Sequence, residues 1–183
     1  MPSPHLIIDA CCFINLCASR CLVMALAKDS WKYWMTDVAL GESLYLRDDD
    51  PENPGMLYKV QLFAQERAAT AGIQIACLES EEESDWFVRM AQILDDGEAH
   101  SIAVAKCRGY RLGSDDQKAL RWARHPDVGL VTATTPEIIR HWVEEKLVAE
   151  NPNVIINNIE KYGRFIPRVG TPDCDWWNTQ KIV

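Results

Sequence analysis

The sequence predicts an α/β fold of three layers (α/β/α), in which a central, mostly parallel β-sheet lies between two layers of helices. Two observations support this prediction. Short apolar runs alternate along the chain with longer segments whose apolar residues recur at helical spacing, the pattern of strand–helix–strand units. In the first run, Leu6-Ile7-Ile8, every position is apolar, which indicates a strand buried on both faces, as parallel strands are.

The first half of the chain begins with a strand and continues with alternating elements. In order, the pattern predicts a strand over residues 5–8, a helix to about residue 27, a strand over 31–37, a helix starting at 38 and a loop over 48–55. The loop is predicted from three consecutive aspartates and two prolines, which do not fit inside an ordinary helix or strand. A helix is predicted over 56–71, because Leu57, Val60 and Ala64 recur at helical spacing before Gly72, a natural helix end.

The second half repeats the alternation up to about residue 150. In order, the pattern predicts a strand over 73–78, a helix opened by the acidic residues 79–84, an alanine-rich helix from Glu98 to Ala105, a strand over 110–114, a helix over 118–124, a strand over 128–132 and a helix beginning at Pro136. Residues 1–150 are therefore expected to form one domain. After Asn151 the pattern changes, and residues 151–183 are expected to be a C-terminal extension that packs on the domain or on a partner.

Composition limits the classes of function. No apolar stretch approaches the roughly 20 residues that a membrane helix needs, and no secretory signal is evident, so a cytoplasmic protein without membrane contact is expected. The seven cysteines are odd in number and partly clustered (Cys11, Cys12, Cys17, Cys21), which favours a reducing compartment and small buried thiols. The net charge of −8 disfavours a protein that coats nucleic acid with a basic surface, unless its acids surround a metal site.

Several acidic residues follow predicted strands or open predicted helices. Asp9 ends the first strand, Asp115 and Asp116 follow the strand over 110–114, and Glu42 and Glu98 lie near helix starts. In an open parallel sheet the ligand site lies at the carboxyl ends of the strands, so these side chains are expected to converge. Converging carboxylates repel one another, and hard divalent cations such as Mg²⁺ or Mn²⁺ relieve that repulsion. Taken singly, each acid has an alternative role as a helix cap.

The ordered motifs resemble those of PIN-domain nucleases. Leu6-Ile7-Ile8-Asp9, Val38-Ala39-Leu40-Gly41-Glu42, Asp95-Asp96-Gly97-Glu98-Ala99 and Gly113-Ser114-Asp115-Asp116 look like the four motifs of that family, and the Gly-Glu-Ala helix start is similar to its bacterial VapC-like branch. The resemblance covers about residues 5 to 145. It implies an endoribonuclease that cleaves single-stranded RNA with a water activated by Mg²⁺ or Mn²⁺. Asp9, Glu42, Glu98 and Asp116 would be catalytic metal ligands, with Asp115 as a fifth acid.

Substrate contacts and partners follow from the same interpretation. Ser114 and Asn15 are candidates for polar contacts in the site, and Lys118 and Arg121 belong to a basic group with Arg108, Arg111 and Arg124 that could guide a phosphate backbone. A toxin role would add an antitoxin protein as partner, and a homodimer is a further candidate. Two alternatives stay open: a catalytically degenerate PIN-like binding or scaffold module, and a Mg²⁺-dependent phosphatase. The second is disfavoured because Cys11 stands where such enzymes need an acid.

Overall fold

The computed structural model describes residues 3–181, which form a five-stranded parallel sheet with helices on both faces. The strands of this sheet are β1 (His5–Ile8), β2 (Lys32–Thr36), β5 (Gln74–Ala76), β6 (Arg111–Gly113) and β7 (Thr132–Ala133), and a separate antiparallel hairpin consists of β3 (Tyr45–Asp49) and β4 (Leu57–Gln61). The sheet order is β5-β2-β1-β6-β7, with β1 in the centre and every pairing parallel. The predicted three-layer α/β/α fold is confirmed.

Ten α-helices and one π-helical turn accompany the strands in the part of the chain that the structure describes. They are α1 (Ala10–Ala18), α2 (Leu22–Leu26), α3 (Asp37–Glu42), α4 (Ala64–Ala71), α5 (Glu81–Ala91), α6 (Asp96–Arg108), α7 (Gln117–Ala123), α8 (Thr135–Glu144), α9 (Pro152–Asn158), the π-helical turn Ile159–Gly163 and α10 (Cys174–Gln180). Helices α5, α6 and α7 cover one face of the sheet, and α1, α3, α8 and α9 cover the other.

The central strand distributes its side chains between the two hydrophobic cores. Leu6 and Ile8 pack with residues of α1, α8 and α9, whereas Ile7 packs with residues of α6 and α7, and all three are fully buried. Successive side chains of a strand point to opposite faces, so a strand buried on both faces must be apolar at every position. The apolar run that the sequence shows at β1 is thus explained by its central place in the sheet.

Three predictions of local structure were wrong, among them the strand expected over 128–132, which is displaced to Thr132–Ala133 as β7. The helix expected up to residue 27 is interrupted at residues 19–21, where Arg20 has a φ of 62°, so α1 and α2 are separate. The helix expected over 56–71 begins only at Ala64, because residues 57–61 form β4, with Val60 opposite Leu46. The expected loop over 48–55 is shorter accordingly, since its first two aspartates belong to β3.

The acidic end of β3 is held by cations from distant segments. Arg20 donates to Asp48 at 2.6 Å, Lys161 lies 2.6 Å from Asp49, and the hydroxyl of Tyr162 donates to Asp49 at 2.7 Å. These contacts offset the repulsion between consecutive aspartates and explain why a charged segment forms a strand.

The segment after Asn151 contributes to the same core as β1 and α1. Ile155, Ile156, Ile159 and Trp177 are fully buried in the hydrophobic cluster that contains Phe13. Residues 152–180 therefore pack directly on the helical layer of α1 and α8. None of the helices within residues 3–181 is long and apolar enough to span a membrane.

Candidate functional site

The candidate site lies at the carboxyl edge of the sheet, around the ends of β1 and β6. Asp9 follows β1 directly, Asp115 and Asp116 follow β6 after Ser114, and Glu98 lies in the first turn of α6. Because β1 and β6 are neighbouring parallel strands, with Ile8 opposite Gly113, their carboxyl ends meet at one place. The parallel pairing therefore brings together acids that are about 100 residues apart in sequence.

Asp9 is buried and serves as the N-cap of α1. Its Oδ1 accepts a hydrogen bond of 2.7 Å from the amide of Cys12, and only 4% of the residue is exposed. The pKa of Asp9 is raised to about 7, mainly by burial and to a smaller extent by the charges of Asp115 and Glu98, against the lowering effect of hydrogen bonds from Ser114 and Cys12. Asp9 thus both caps a helix and contributes charge to the site.

Asp116 likewise caps a helix, α7, and belongs to the acidic group. Its Oδ1 accepts from the amides of Lys118 at 2.7 Å and Ala119 at 2.9 Å, while its own amide donates to the Ser114 hydroxyl at 3.1 Å. Ser114 is almost fully buried, and its hydroxyl lies between the Asp9 carboxylate, whose pKa it lowers, and the backbone amide of Asp116. Its hydroxyl is therefore engaged with the acidic residues, and a contact between Ser114 and a substrate stays a prediction.

Asp115 is held from two sides by neutral groups. Its carboxylate accepts from the side-chain amide of Asn15 at 2.9 Å, from the backbone amide of Thr135 at 2.9 Å, and from the Thr135 hydroxyl. Burial raises the pKa of Asp115, and the hydrogen bonds of Thr135 and Asn15 act against that rise. Asn15, itself only 4% exposed, is therefore a support for an acid, and any substrate contact by Asn15 remains a prediction.

Glu98 is half-buried at the head of α6. Its pKa is raised to about 6, mainly by burial and also by the charges of Asp116 and Asp95, while a hydrogen bond with the backbone of Asp95 and the charge of Lys118 lower it. Glu98 therefore lies within the electrostatic reach of Asp116 and of Lys118, although α6 and α7 are separated by β6. The charge of Glu98 acts on Asp9 and the charge of Asp116 acts on Glu98, and their sharing of one metal ion stays a prediction.

The thiol of Cys11 lies at the point where these charges meet. Its partial enclosure and then the charges of four carboxylates, those of Asp9, Asp115, Glu98 and Asp116, raise its pKa to about 12. The residue is exposed, so the same point is open to solvent. The expectation that the clustered cysteines are all buried is wrong for Cys11, because the first turn of α1 faces the cleft. All seven cysteines are free thiols.

Glu42 stands beside this group, on the N-terminus of α6. It is the last residue of α3, it is exposed, and its Oε1 accepts from the amide of Gly97 at 3.2 Å. A Cβ on Gly97 would overlap the Glu42 carboxylate, so the glycine leaves room for this side chain to approach the amide. The structure brings Glu42 next to the residue preceding Glu98, whereas the charges of Asp115 and Glu98 act on Asp9 and that of Asp116 acts on Glu98.

The donor set consists of carboxylate oxygens, which suit a hard divalent cation such as Mg²⁺ or Mn²⁺. Asp116 receives both its hydrogen bonds on Oδ1, so Oδ2 accepts none within residues 3–181. Across the same residues no three His, Cys, Asp or Glu side chains are arranged as a ready metal-binding group. The acids therefore offer oxygen ligands of suitable chemistry, and their side chains would have to move before three of them shared one ion.

The predicted basic group is divided by the structure. Lys118 and Arg121 are exposed on α7, which starts at the site. Arg108 pairs with Glu83 at 2.7 Å, the guanidinium of Arg111 lies 4.1 Å from the ring of Trp31, and Arg124 donates to Thr132. Arg108 and Arg111 lie at the end of α6 and the start of β6, towards the amino edge of the sheet, so they do not flank the acids.

Sequence reasoning missed two parts of the site. Thr135 donates hydrogen bonds to Asp115. The sequence feature that could have pointed to Thr135 is its position before Pro136, at the start of α8. The second part is the segment 163–171, which closes a cavity of about 420 Å³ beside Asp115 and Asp116. No local sequence pattern predicts this contact, because the segment lies some 50 residues after Asp115 and reaches the site only through tertiary packing.

Comparison of the chain with models of known protein families finds no match, and neither does a search of curated protein sequences.

Proposed function

We propose that this chain is a metal-dependent endoribonuclease of the PIN type, which cleaves single-stranded RNA. The observation that carries the proposal is that the charges of four acids, Asp9, Glu98, Asp115 and Asp116, all act on the exposed Cys11 thiol at the carboxyl edge of a parallel sheet. Three of these acids are buried or half-buried with raised pKa values, a costly arrangement that perturbed functional sites typically show.

Each residue has a role in this proposal. Asp9, Glu98 and Asp116 would hold Mg²⁺ or Mn²⁺, with Asp115 and Glu42 as neighbouring acids. When bound, such an ion lowers the pKa of a water molecule and neutralises charge that develops on the phosphate. Ser114 would support Asp9 through its hydroxyl and the start of α7 through the Asp116 amide, and Asn15 and Thr135 would orient Asp115. Lys118 and Arg121 would contact the phosphate backbone.

The test is a cleavage assay on a mixed-sequence, single-stranded RNA with Mn²⁺. The variants Asp9→Asn, Glu98→Gln and Asp116→Asn keep the shape of each side chain and remove its charge. Each should lower the cleavage rate by more than roughly 100-fold, since loss of even an outer partner of a metal ligand costs about 10- to 100-fold. The matched control is Asp127→Asn, an exposed carboxylate after α7 with 82% of its side chain accessible, and its rate should equal that of the unchanged chain.

A binding measurement without RNA supports the same interpretation independently. Mn²⁺ should raise the thermal unfolding midpoint of the unchanged chain, because a ligand that binds only the folded state stabilises it. The Asp9→Asn/Asp116→Asn double variant should show no such rise. Equal cleavage by Asp9→Asn and the unchanged chain would refute the catalytic assignment.

A catalytically degenerate PIN-like binding or scaffold module is the alternative. The net charge of −8 favours it, as do the hydrogen bonds that already occupy oxygens of Asp9, Asp115 and Asp116. In that case neither RNA cleavage nor a rise of the unfolding midpoint with Mn²⁺ would be found, so the same two measurements separate the alternatives.

The proposal extends to partners and place of action. The free thiols fit a reducing compartment, so we place the protein in the cytoplasm. An antitoxin protein or a second copy of the chain would find exposed apolar side chains on and near the β3–β4 hairpin, among them Tyr45, Met56 and Phe63. Light scattering of the purified chain, alone and with the product of a neighbouring antitoxin-like gene, tests both partners.

A further inference from the structure

A groove separates the acids from the C-terminal part of the chain. We call residues 163–168 the C-terminal wall. The groove has a volume of about 420 Å³ and is lined on one side by Asn15, Asp115 and Asp116 and on the other by the C-terminal wall. It opens directly onto the candidate site, and its two sides differ in charge.

The C-terminal wall is held firmly against the acidic side. A Cβ on Gly163 would lie 2.8 Å from Oδ1 of Asn15 and 3.2 Å from Cβ of Ala18, so only glycine allows this close approach. The side-chain amide of the same Asn15 donates to Asp115. Phe165 packs edge-on against the fully buried Trp177, with 5.9 Å between ring centroids. The wall therefore has a defined distance from the carboxylates.

Two arginines on the C-terminal wall lack partners. Arg164 and Arg168 are exposed, and neither guanidinium forms an ion pair or a hydrogen bond with any residue from 3 to 181. Arg164 also adopts a left-handed backbone conformation with φ of 57°, which is uncommon for a residue other than glycine and clusters at functional sites. The lining of the groove therefore includes two unpaired cations on the C-terminal wall and two acids, Asp115 and Asp116, on the opposite side.

We propose that this groove is the binding channel for the strand of RNA. Arg164 and Arg168 contact successive phosphates, and the half-buried Phe165 and the exposed Ile166 provide an apolar surface for a base. A phosphodiester needs cations on one side and the acidic site on the other, and the groove has both within one cavity. The identity of the strand as RNA rests on the proposed function.

The test is RNA binding by the full chain in EDTA, measured by fluorescence anisotropy with a labelled single-stranded oligonucleotide at several salt concentrations. The variant is Arg164→Asn/Arg168→Ala. Asparagine tolerates the left-handed conformation, so the backbone of the wall is retained while both charges are removed. We expect affinity to fall at least about 10-fold and the slope of log affinity against log salt to become shallower by about 1.4, the value for two phosphate contacts on a single strand.

The matched control is Lys28→Ala/Lys32→Ala, which removes the same charge near the amino edge of the sheet, where both lysines are exposed. Its affinity and salt slope should stay close to those of the unchanged chain. Identical affinity and slope for the arginine variant, or equal losses in the lysine control, would overturn the channel. Absence of RNA binding by the unchanged chain would overturn it as well.

RNA cleavage with Mn²⁺ is measured in parallel, so that the proposed channel and the proposed nuclease activity can be refuted independently of each other. Cleavage by the unchanged chain together with arginine-independent binding refutes the channel and leaves the nuclease. Arginine-dependent binding without cleavage refutes the nuclease and leaves the channel. If binding depends on the arginines and the arginine variant cleaves RNA with a raised KM and an unchanged kcat, both the channel and the nuclease are supported.

Discussion

Asp9 combines two tasks with opposite electrostatic demands. As the N-cap of α1 it accepts the Cys12 amide, an interaction that favours the ionised carboxylate. As a buried member of an acidic group it is pushed towards the protonated form, and the result is a pKa of about 7. Burial outweighs the cap because the carboxylate loses nearly all of its hydration while receiving few hydrogen bonds.

The raised pKa predicts how stability depends on pH in the metal-free protein. Folded Asp9 keeps its proton up to about pH 7, whereas an unfolded aspartate loses it near about pH 4. The folded state therefore binds more protons between these values, and the free energy of unfolding falls as pH rises through that window. Asp9→Asn should remove this loss and be more stable than the unchanged chain at pH 8, by on the order of 2–4 kcal/mol.

Urea unfolding in EDTA at about pH 4.5 and pH 8 measures this effect. The gain of Asp9→Asn should shrink towards the acidic end, where the native carboxyl is already neutral. Asp127→Asn, at an exposed carboxylate, provides the reference. A gain of equal size at both pH values would show that burial of the charge is not its cause.

At the scale of secondary structure, the acids of the site also define where helices begin. Asp9 caps α1 and Asp116 caps α7, so the alternative interpretation of these residues as caps is correct for both. A carboxylate can cap with one oxygen and keep the other available, and the two roles are therefore compatible. Capping explains the boundaries of α1 and α7, whereas the parallel order of the strands explains why the caps meet.

Substitutions at Asp116 separate the cap from the charge. Asp116→Ser and Asp116→Ala both remove the carboxylate, but only serine can accept the amide of Ala119. Serine should therefore be more stable than alanine by about 1 kcal/mol, the usual contribution of an N-cap. Urea unfolding of the two variants measures the difference, and both should be inactive on RNA. Equal stability would mean that the hydrogen bonds to Lys118 and Ala119 do not support α7.

The β3–β4 hairpin shows where local patterns are insufficient. A short apolar run such as residues 57–60 fits a helix or a strand equally well, and its partner strand decides between them. Here Leu46 and Val60 pair across the hairpin, and Arg20 and Lys161 neutralise Asp48 and Asp49. Both cations come from other parts of the chain, so the pattern within residues 45–61 could not predict the strands.

At the scale of the whole molecule, the C-terminal segment completes the core and forms one side of the candidate groove. Trp177 is fully buried, its indole N–H donates to Glu160 at 3.0 Å, and its ring contacts Phe165. The segment therefore connects the stability of the domain to the position of the C-terminal wall.

Removal of the Trp177 side chain should destabilise the whole domain. Trp177→Ala leaves a large cavity and removes the indole hydrogen bond to Glu160, which keeps its ion pair with Lys181, and the expected loss is about 3–5 kcal/mol in the free energy of unfolding. Trp176→Ala, at a half-buried neighbour, should cost clearly less. Urea unfolding followed by circular dichroism gives both values. Similar small losses for the two variants would contradict the packing of α10 on the core.

Much of this protein is determined by its sequence alone, and the reason is local. The apolar run at β1, the proline at the start of α8 and the acidic start of α5 each impose a backbone preference within a few residues, and the three-layer fold follows from their alternation. The acids at strand ends could be identified for the same reason, because a strand and the residue after it are adjacent in the chain.

Tertiary structure decided what depends on contacts between distant residues. The position of Glu42 on the Gly97 amide, the hold of Thr135 on Asp115, and the approach of Gly163 to Asn15 each join segments that share no local pattern. The same holds for the pKa of Asp9, since burial and neighbouring charges exist only in the folded chain. Sequence determined which groups are present at the sheet edge, and packing decided their distances, their burial and the wall that faces them.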